Sequence, residues 1–313
     1  MSARSLADWL VRLEGLHPSE IDMGLERVRL VAKRLGVLTP APLVFTVTGT
    51  NGKGSTCAAL EALLRRSGLR TGCYTSPHLV HYNERVRLDG QLADDASLCA
   101  AFAAIDELRG DISLTYFEFG TLAALWLFKR AELDAVVLEV GLGGRLDAVN
   151  VVDAHVAVVT SIGIDHQEYL GNTRASVATE KAGILRHERP VVSGERELPD
   201  TFVQAVERLG CQLVQRDRDF TVQVQPDGHW QLSGEGGVGA ARSLLLPPVR
   251  LPRDNLAVAT HAFWAAGLDL PDAALGEALA AASATGRLES REIDWQVQRR
   301  RLLLDVGHNP HAA

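Results

Sequence analysis

The segment FTVTGTNGKGST (45–56) joins the end of an apolar run, a glycine-rich turn and the start of a helix without interruption. The run from Leu43 to Val47 predicts a buried strand, and the residues at 54–67 predict a helix. The glycines of the turn allow backbone N–H groups to approach an anion closely. A strand that feeds directly into a helix is typical of an α/β fold.

Strand and helix patterns alternate through the first part of the chain. Two predicted helices, at 5–16 and 24–36, precede the first strand, and the second of them follows a candidate cap at Asp22. Further strands are predicted at 71–75, 135–140 and 155–161, and further helices at 94–109, 118–131 and 173–185. This alternation predicts a mostly parallel sheet flanked by helices.

The pattern changes after about residue 195. A turn at Pro226, Asp227 and Gly228 predicts a β-hairpin. The predicted elements here are strands at 221–225 and 229–232, a flexible loop at 233–240, helices at 254–267 and 271–283, and strands at 293–297 and 301–305. Because the chain stops eight residues after Asp305, the last two strands are interpreted as the beginning of an incomplete domain.

The charge balance excludes one class of partner. The 313 residues include 32 Lys and Arg against 39 Asp and Glu, a net charge of −7, which argues against a general nucleic-acid or membrane binder but not against small anionic ligands. No signal peptide or membrane-spanning run is evident. The four cysteines form no CxxC pair, and such scattered thiols are typical of a cytoplasmic protein.

The glycine-rich turn is a candidate phosphate site. Lys53 would supply a point charge for the phosphates, and Ser55 or Thr56 would face a magnesium ion. The start of the following helix also favours an anion. The spacing departs from G-x-x-x-x-G-K-[ST], because only two residues separate Gly49 from Gly52. The simpler alternative is a glycine turn between strand and helix.

Further candidates follow later strands. Glu139 ends an apolar strand at the edge where open α/β sheets bind ligands, so it would hold magnesium or, alternatively, pair with Arg145. Ser76 and His166 could complete the metal shell. Lys181 would contact phosphate, carry a carbamate, or simply be solvated on its helix.

Three residues of the last third are weaker candidates. Asn255 follows Pro252 near a predicted helix start, where a helix N-cap is the alternative to a ligand contact. Arg287 follows a glycine at the apparent domain junction. Asp305 ends an apolar strand and could bind a ribose.

These motifs together resemble the folylpolyglutamate synthase family of the Mur ligase superfamily, in particular its bacterial branch that is also a dihydrofolate synthase. The resemblance covers essentially the whole chain. Its markers occur in order as IDMGLERV (21–28), TGTNGKGST (48–56), TSPHLVHYNERVR (75–87), ISLTYFEFGTLAAL (112–125), LEVGLGGRLDAVN (138–150), TSIGIDH (160–166), EKAGI (180–184), GR (286–287) and DVGHNPHA (305–312).

The resemblance implies a role for each matching position. The ATP-binding set is Thr50, Asn51, Gly52, Lys53, Gly54, Ser55, Asn255, Arg287, Asp305 and His308. The metal set, for two Mg²⁺ ions, is Ser76, Glu139 and His166. The catalytic set is Lys53, Lys181 and His166, with Lys181 as N6-carboxylysine. The pterin-binding set is Asp22, Met23, Gly24, Thr115, Tyr116, Phe117, Glu118, Leu146, Asp147 and Ala148.

The resemblance also implies the architecture. Residues 1–286 would form a Mur-ligase-like central domain with a P-loop, and residues 287–313 would begin a truncated Rossmann-like domain that in the family completes the cleft for ATP and glutamate. Val149 stands where the family commonly has Thr, and Gly307 stands where it has Ala.

The implied activity is ATP-dependent ligation of L-glutamate to 7,8-dihydropteroate and then to reduced folates, by a cytoplasmic monomer. Three alternatives remain open: a monofunctional folylpolyglutamate synthase, a nucleotide-binding fragment without activity, and a peptidoglycan Mur ligase. The last is disfavoured, because the 48 residues before Gly49 are too few for a UDP-binding domain.

Overall fold

The computed structural model describes residues 4–235, 241–287, 289–295 and 298–306. Its strands are β1 (Leu43–Thr48), β2 (Thr71–Tyr74), β3 (Val86–Leu88), β4 (Gln91–Leu92), β5 (Ala135–Glu139), β6 (Val156–Val159), β7 (Pro190–Ser193), β8 (Gln212–Gln215), β9 (Phe220–Val224), β10 (Trp230–Glu235), β11 (Ala241–Leu246), β12 (Glu289–Trp295) and β13 (Gln298–Leu304). The first eight form one sheet in the order β4-β3-β2-β5-β1-β6-β7-β8. All neighbours from β2 to β8 are parallel, and β3 and β4 add an antiparallel edge.

The centre of this sheet positions the site. Strand β1 is mostly apolar and buried on both faces, as expected for a strand covered by helices on each side. It pairs with β5 through Val47 and Glu139 and with β6 through Thr48 and Val159. The segments that follow these three strands therefore lie side by side at the carboxyl edge, where open α/β sheets bind ligands.

Ten helices surround the sheet in the described residues. They are α1 (Leu6–Glu14), α2 (Glu26–Leu35), α3 (Lys53–Arg66), α4 (Asp95–Arg109), α5 (Tyr116–Arg130), α6 (Gln167–Leu170), α7 (Arg174–Ala182), α8 (Asp200–Arg208), α9 (Arg253–Ala265) and α10 (Asp272–Ala281). One hydrophobic core lies under α1, α2, α4, α5, α7 and α8, and the other under α3, α9 and α10. None of these described helices is long and apolar enough to cross a membrane.

A small antiparallel sheet, β11-β10-β9, packs on α9, and β12 and β13 form a separate hairpin. Under the small sheet, His261 stacks on Phe220 with ring centroids 4.1 Å apart. Its Nδ1 lies 3.0 Å from the carbonyl oxygen of Ala257, one helical turn earlier. Burial lowers the pKa of His261 to about 4.

Most predicted elements are present, and three interpretations are wrong. Asp22 does not cap α2, whose N-cap is Leu25 without a side-chain bond; Asp22 instead accepts a hydrogen bond from Arg27. The pattern does not change at 195, because β7, α8 and β8 extend the parallel sheet to Gln215. The predicted loop at 233–240 begins as strand, since residues 233–235 belong to β10, and 236–240 lie outside the described residues.

Candidate functional site

A cavity of about 960 Å³ opens at the carboxyl edge of the sheet. The predicted site residues on its wall are Thr50, Asn51, Gly52, Lys53, Gly54, Ser55, Ser76, Glu139, His166, Lys181, Asn255, Arg287 and Asp305. The structure thus brings the predicted ATP, metal and catalytic residues together, except His308, which lies outside the described residues. Ser55 is on the wall and Thr56 is not.

The phosphate loop (residues 49–55) is held against the segment that follows β6. A β-carbon on Gly49 would lie 1.8 Å from Thr160 Oγ1, so only glycine fits there. The Thr160 hydroxyl donates a hydrogen bond of 2.5 Å to the carbonyl oxygen of Asn51, and the Thr50 N–H donates one of 3.0 Å to the carbonyl oxygen of Ser161. These bonds hold the loop on the side of the segment after β6 and leave its cavity side open to a ligand.

Lys53 begins α3 directly after Gly52, which has φ +86° and serves as the N-cap. The Lys53 ammonium group donates to the carbonyl oxygen of Gly49 at 2.9 Å and therefore lies over the loop. A helix N-terminus, a lysine and a glycine-rich backbone in one place suit a polyphosphate.

Glu139 is 2% exposed at the end of β5. Its Oε2 accepts a hydrogen bond of 3.1 Å from the backbone N–H of Ser76. Burial raises its pKa, and the nearby charge of Lys53 opposes the rise. The alternative pairing with Arg145 is wrong, because Arg145 binds Glu180 at 2.8 Å.

The chemistry of this donor set fits a divalent cation bound jointly with a nucleotide. Both carboxylate oxygens of Glu139 lie 4.0 Å from the position of a β-carbon on Gly54, so the carboxylate faces the phosphate loop. Ser76 and the exposed His166 line the same cavity. No three His, Cys, Asp or Glu side chains converge into a metal site in the described part of the chain. A metal ion here would need oxygen ligands from a phosphate.

Lys181 is 2% exposed, so the interpretation of a solvated lysine is wrong. Burial and the nearby charge of Lys53 together lower its pKa to about 7, although Asp165 opposes the change. About half of a lysine with this pKa is a neutral amine at neutral pH, and a neutral amine is nucleophilic.

Asn255 is not a helix cap either. The N-cap of α9 is Pro252, and Asn255 is the third residue of the helix. A β-carbon on Gly52 would lie 2.5 Å from Asn255 Oδ1, so the amide lies directly on the phosphate loop. Arg287 approaches the same loop, since its Nε lies 3.9 Å from the position of a β-carbon on Gly54.

The predicted pterin residues do not line the main cavity; instead, they lie in or beside the loop 141–147. A β-carbon on Gly141 would lie 2.6 Å from Phe117, and one on Gly143 would lie 3.9 Å from Met23 Cε. Asp147 accepts the Leu142 N–H at 2.8 Å. All three predicted segments therefore meet at one loop, which also forms part of the cavity wall.

Charged side chains link these segments. Arg27 binds both Asp22 and Glu118, the latter at 3.2 Å, and so joins residues 22–24 to the first turn of α5. Asp147 is almost fully buried, and burial raises its pKa to about 7 although backbone N–H groups stabilise the charged form. Thr115 caps α5 through its bond to the Glu118 N–H.

Among the charged residues of the cavity wall that sequence reasoning missed are Glu195 and Arg216. They follow β7 and β8, two strands of the main sheet that were not predicted. Had those strands been recognised, the carboxyl-edge rule would have identified both residues.

Residues 47–215 match the Mur ligase middle domain. The dihydrofolate synthase/folylpolyglutamate synthase of Escherichia coli K12 is 51% identical over 312 residues, which cover all of this chain and 72% of that protein. The chain belongs to the dihydrofolate synthase/folylpolyglutamate synthase family.

Solved structures of this family have the same fold. The Escherichia coli enzyme in complex with DHPP and ADP superposes with a TM-score of 0.92 at 50% identity, covering 99% of this chain and 72% of that one. A bifunctional enzyme of the family with Mn, AMPPNP and L-glutamate bound superposes with a TM-score of 0.89 at 48% identity, covering 98% and 72%.

Proposed function

We propose that this chain is an ATP-dependent ligase that joins L-glutamate to 7,8-dihydropteroate and then adds glutamates to the γ-carboxyl group of reduced folates. The observation that carries the proposal is one cavity that holds a phosphate loop, a buried carboxylate and a buried lysine. The ADP, AMPPNP, Mn and L-glutamate of the family structures support the same assignment.

A carboxylate is a poor acylating agent, so the substrate carboxylate first takes the γ-phosphoryl group of ATP and becomes an acyl phosphate. The amine of L-glutamate then attacks the acyl carbon, the C–N bond forms, the C–O bond to phosphate breaks, and the amine releases a proton. Lys53 and the N-terminus of α3 would stabilise the charge on the transferring phosphoryl group.

Ser76, Glu139 and His166 would hold magnesium, with two ions expected, and the metal would neutralise charge on the phosphate oxygens when bound. The hydrogen bond from the Ser76 N–H keeps the Glu139 carboxylate turned toward this edge. The nearby Lys53 offsets the cost of burying that carboxylate.

Lys181 is proposed to carry a carbamate. The neutral amine attacks the carbon of CO₂, an N–C bond forms and one proton leaves, which converts the neutral amine into an anionic carbamate. Starting from the ammonium form, two protons leave in all. Its burial and lowered pKa favour this reaction, since only the neutral amine is nucleophilic. We expect Lys181→Glu to retain more activity than Lys181→Ala, because glutamate keeps a carboxylate near that position.

The pterin ring is proposed to bind beside the loop 141–147. Residues 22–24, 115–118 and 146–148 lie in or beside this loop, and Arg27 holds two of these segments together. We assign residues 1–286 to the central domain and 287–313 to the start of a second one. A cytoplasmic monomer remains our proposal, and the four free cysteines support its cytoplasmic part.

A product assay tests the function. The chain is incubated with Mg·ATP, L-glutamate and 7,8-dihydropteroate, and dihydrofolate is measured by mass spectrometry. Dihydrofolate is expected, and Lys53→Ala and Glu139→Ala are each expected to abolish it. Extension of a reduced folate alone would indicate a monofunctional folylpolyglutamate synthase. ATP binding without any amide product would indicate a nucleotide-binding module.

A further inference from the structure

Arg216 is a charged residue of the cavity wall that belongs to none of the motifs above. It directly follows β8, and its backbone N–H continues the strand pairing by donating to the Ser193 carbonyl oxygen at 3.0 Å. Its side chain is only 11% exposed and lines the cavity together with Pro252 and Asn255. A guanidinium group so buried requires a partner, because an uncompensated buried charge is costly.

The partner is Asp254, whose Oδ2 lies 2.6 Å from Arg216 Nη1. The other nearby carboxylate, Asp217, is 3.7 Å from Arg216 Nε, too far for a hydrogen bond, and binds Arg196 at 2.9 Å. Asp254 lies in the first turn of α9, where a negative charge favours the helix N-terminus. The ion pair therefore ties the first turn of α9 to the sheet edge.

This tie is structurally important because the helix start has no side-chain cap. Pro252 is the N-cap of α9 and makes no side-chain hydrogen bond to the backbone N–H groups of the first turn, as an N-cap residue usually does. The next residue after Asp254 is Asn255, whose amide lies on Gly52 of the phosphate loop. A movement of this turn would thus displace Asn255 relative to a bound nucleotide.

We propose that Arg216 is a positioning residue for nucleotide binding, which acts through Asp254 to hold Asn255 against the phosphate loop. The inference rests on the proposed function only in that the cavity binds ATP. It requires no contact between Arg216 and the nucleotide.

The test measures the Kd for Mg·ATP by isothermal titration, without folate or glutamate, and the Tm of each variant. We expect Arg216→Ala and Asp254→Asn each to raise the Kd by about tenfold, because the ion pair that holds the first turn of α9 is lost. Arg216→Lys, which can keep the ion pair, should recover part of the loss. The matched control is Arg218→Ala, since Arg218 is 52% exposed, binds Asp219 at 2.6 Å and lies off the cavity wall.

A double-mutant cycle separates positioning from general destabilisation. If Arg216 acts through Asn255, then Arg216→Ala should change the Kd by less than about twofold in an Asn255→Ala background. An unchanged Kd in Arg216→Ala, or full additivity with Asn255→Ala, would overturn the inference. Failure of the unmutated chain to bind Mg·ATP would instead refute the proposed function.

Discussion

Replacing His261 should weaken the pH dependence of stability on the acidic side. In the folded chain, Nδ1 contacts the Ala257 carbonyl oxygen, whereas Nε2 is buried and has no hydrogen-bond partner. Protonation would place an unpaired N–H at Nε2 against Phe220 and the backbone near Gly234. The hydrogen bond with Ala257 and the charge of Asp219 both favour protonation, but burial outweighs them, so the pKa falls from 6.5 to about 4.

The sign and size follow from proton linkage. Because the unfolded chain binds this proton more readily, the contribution of His261 to stability is fully present above about pH 6.5 and is lost as the pH falls toward about 4. A pKa difference of about 2.5, at about 1.36 kcal/mol each, corresponds to about 3 kcal/mol in total. Between pH 7 and pH 5 the expected loss is about 2 kcal/mol.

Urea unfolding at pH 7 and pH 5 measures this loss. His261→Gln and His261→Phe both remove the titrating group but change the packing differently, so both should lose about 2 kcal/mol less than the parent chain on acidification. Carboxylates that titrate in this range contribute equally to all three proteins and cancel in the comparison. The reasoning is refuted if both variants keep the pH dependence of the parent.

Two other substitutions test the site and its supports. Gly52→Ala should weaken Mg·ATP binding at least tenfold in a titration. The left-handed backbone costs about 1–2 kcal/mol for an L-residue, and the new β-carbon would meet Asn255 at 2.5 Å. An unchanged affinity for Mg·ATP would contradict this. Glu61→Leu should lower the free energy of unfolding in urea by about 3 kcal/mol, because Arg87, bound to Glu61 at 2.7 Å, would lose its partner in a largely buried position. A loss below about 1 kcal/mol would contradict this and show that Cys73 and water replace the carboxylate.

The sequence predicted the centre of the sheet because β1, β5 and β6 are continuous apolar runs beside a glycine turn. It missed β7 and β8 because their short apolar runs are interrupted: β7 has apolar residues only between Pro190 and Ser193, and β8 begins and ends with glutamine. Strand β11 was missed because its residue types, ARSLLL, do not alternate between polar and apolar, although their burial does.

The spacing of residues in the sequence also failed to predict side-chain chemistry that depends on burial. The residue type alone left Lys181 between a solvated and a reactive lysine, and only its packing inside the fold distinguishes them. Likewise, Asn255 near a proline matches the pattern of a helix cap, but the helix starts at an earlier residue and turns the amide toward Gly52. Such differences of one or two residues arise from tertiary contacts that a local pattern does not contain.

The cavity wall collects parts of the chain from Gly49 to Val306, which are distant in sequence. A nucleotide held there acts as a reversible cross-link between them, and at a concentration 100 times its Kd it adds about 2.7 kcal/mol to the stability of the folded state. Local unfolding of any one of these parts would release the nucleotide. We therefore expect the parts to unfold together when the nucleotide is bound. We therefore expect the chain to resist a protease for longer when ATP is present.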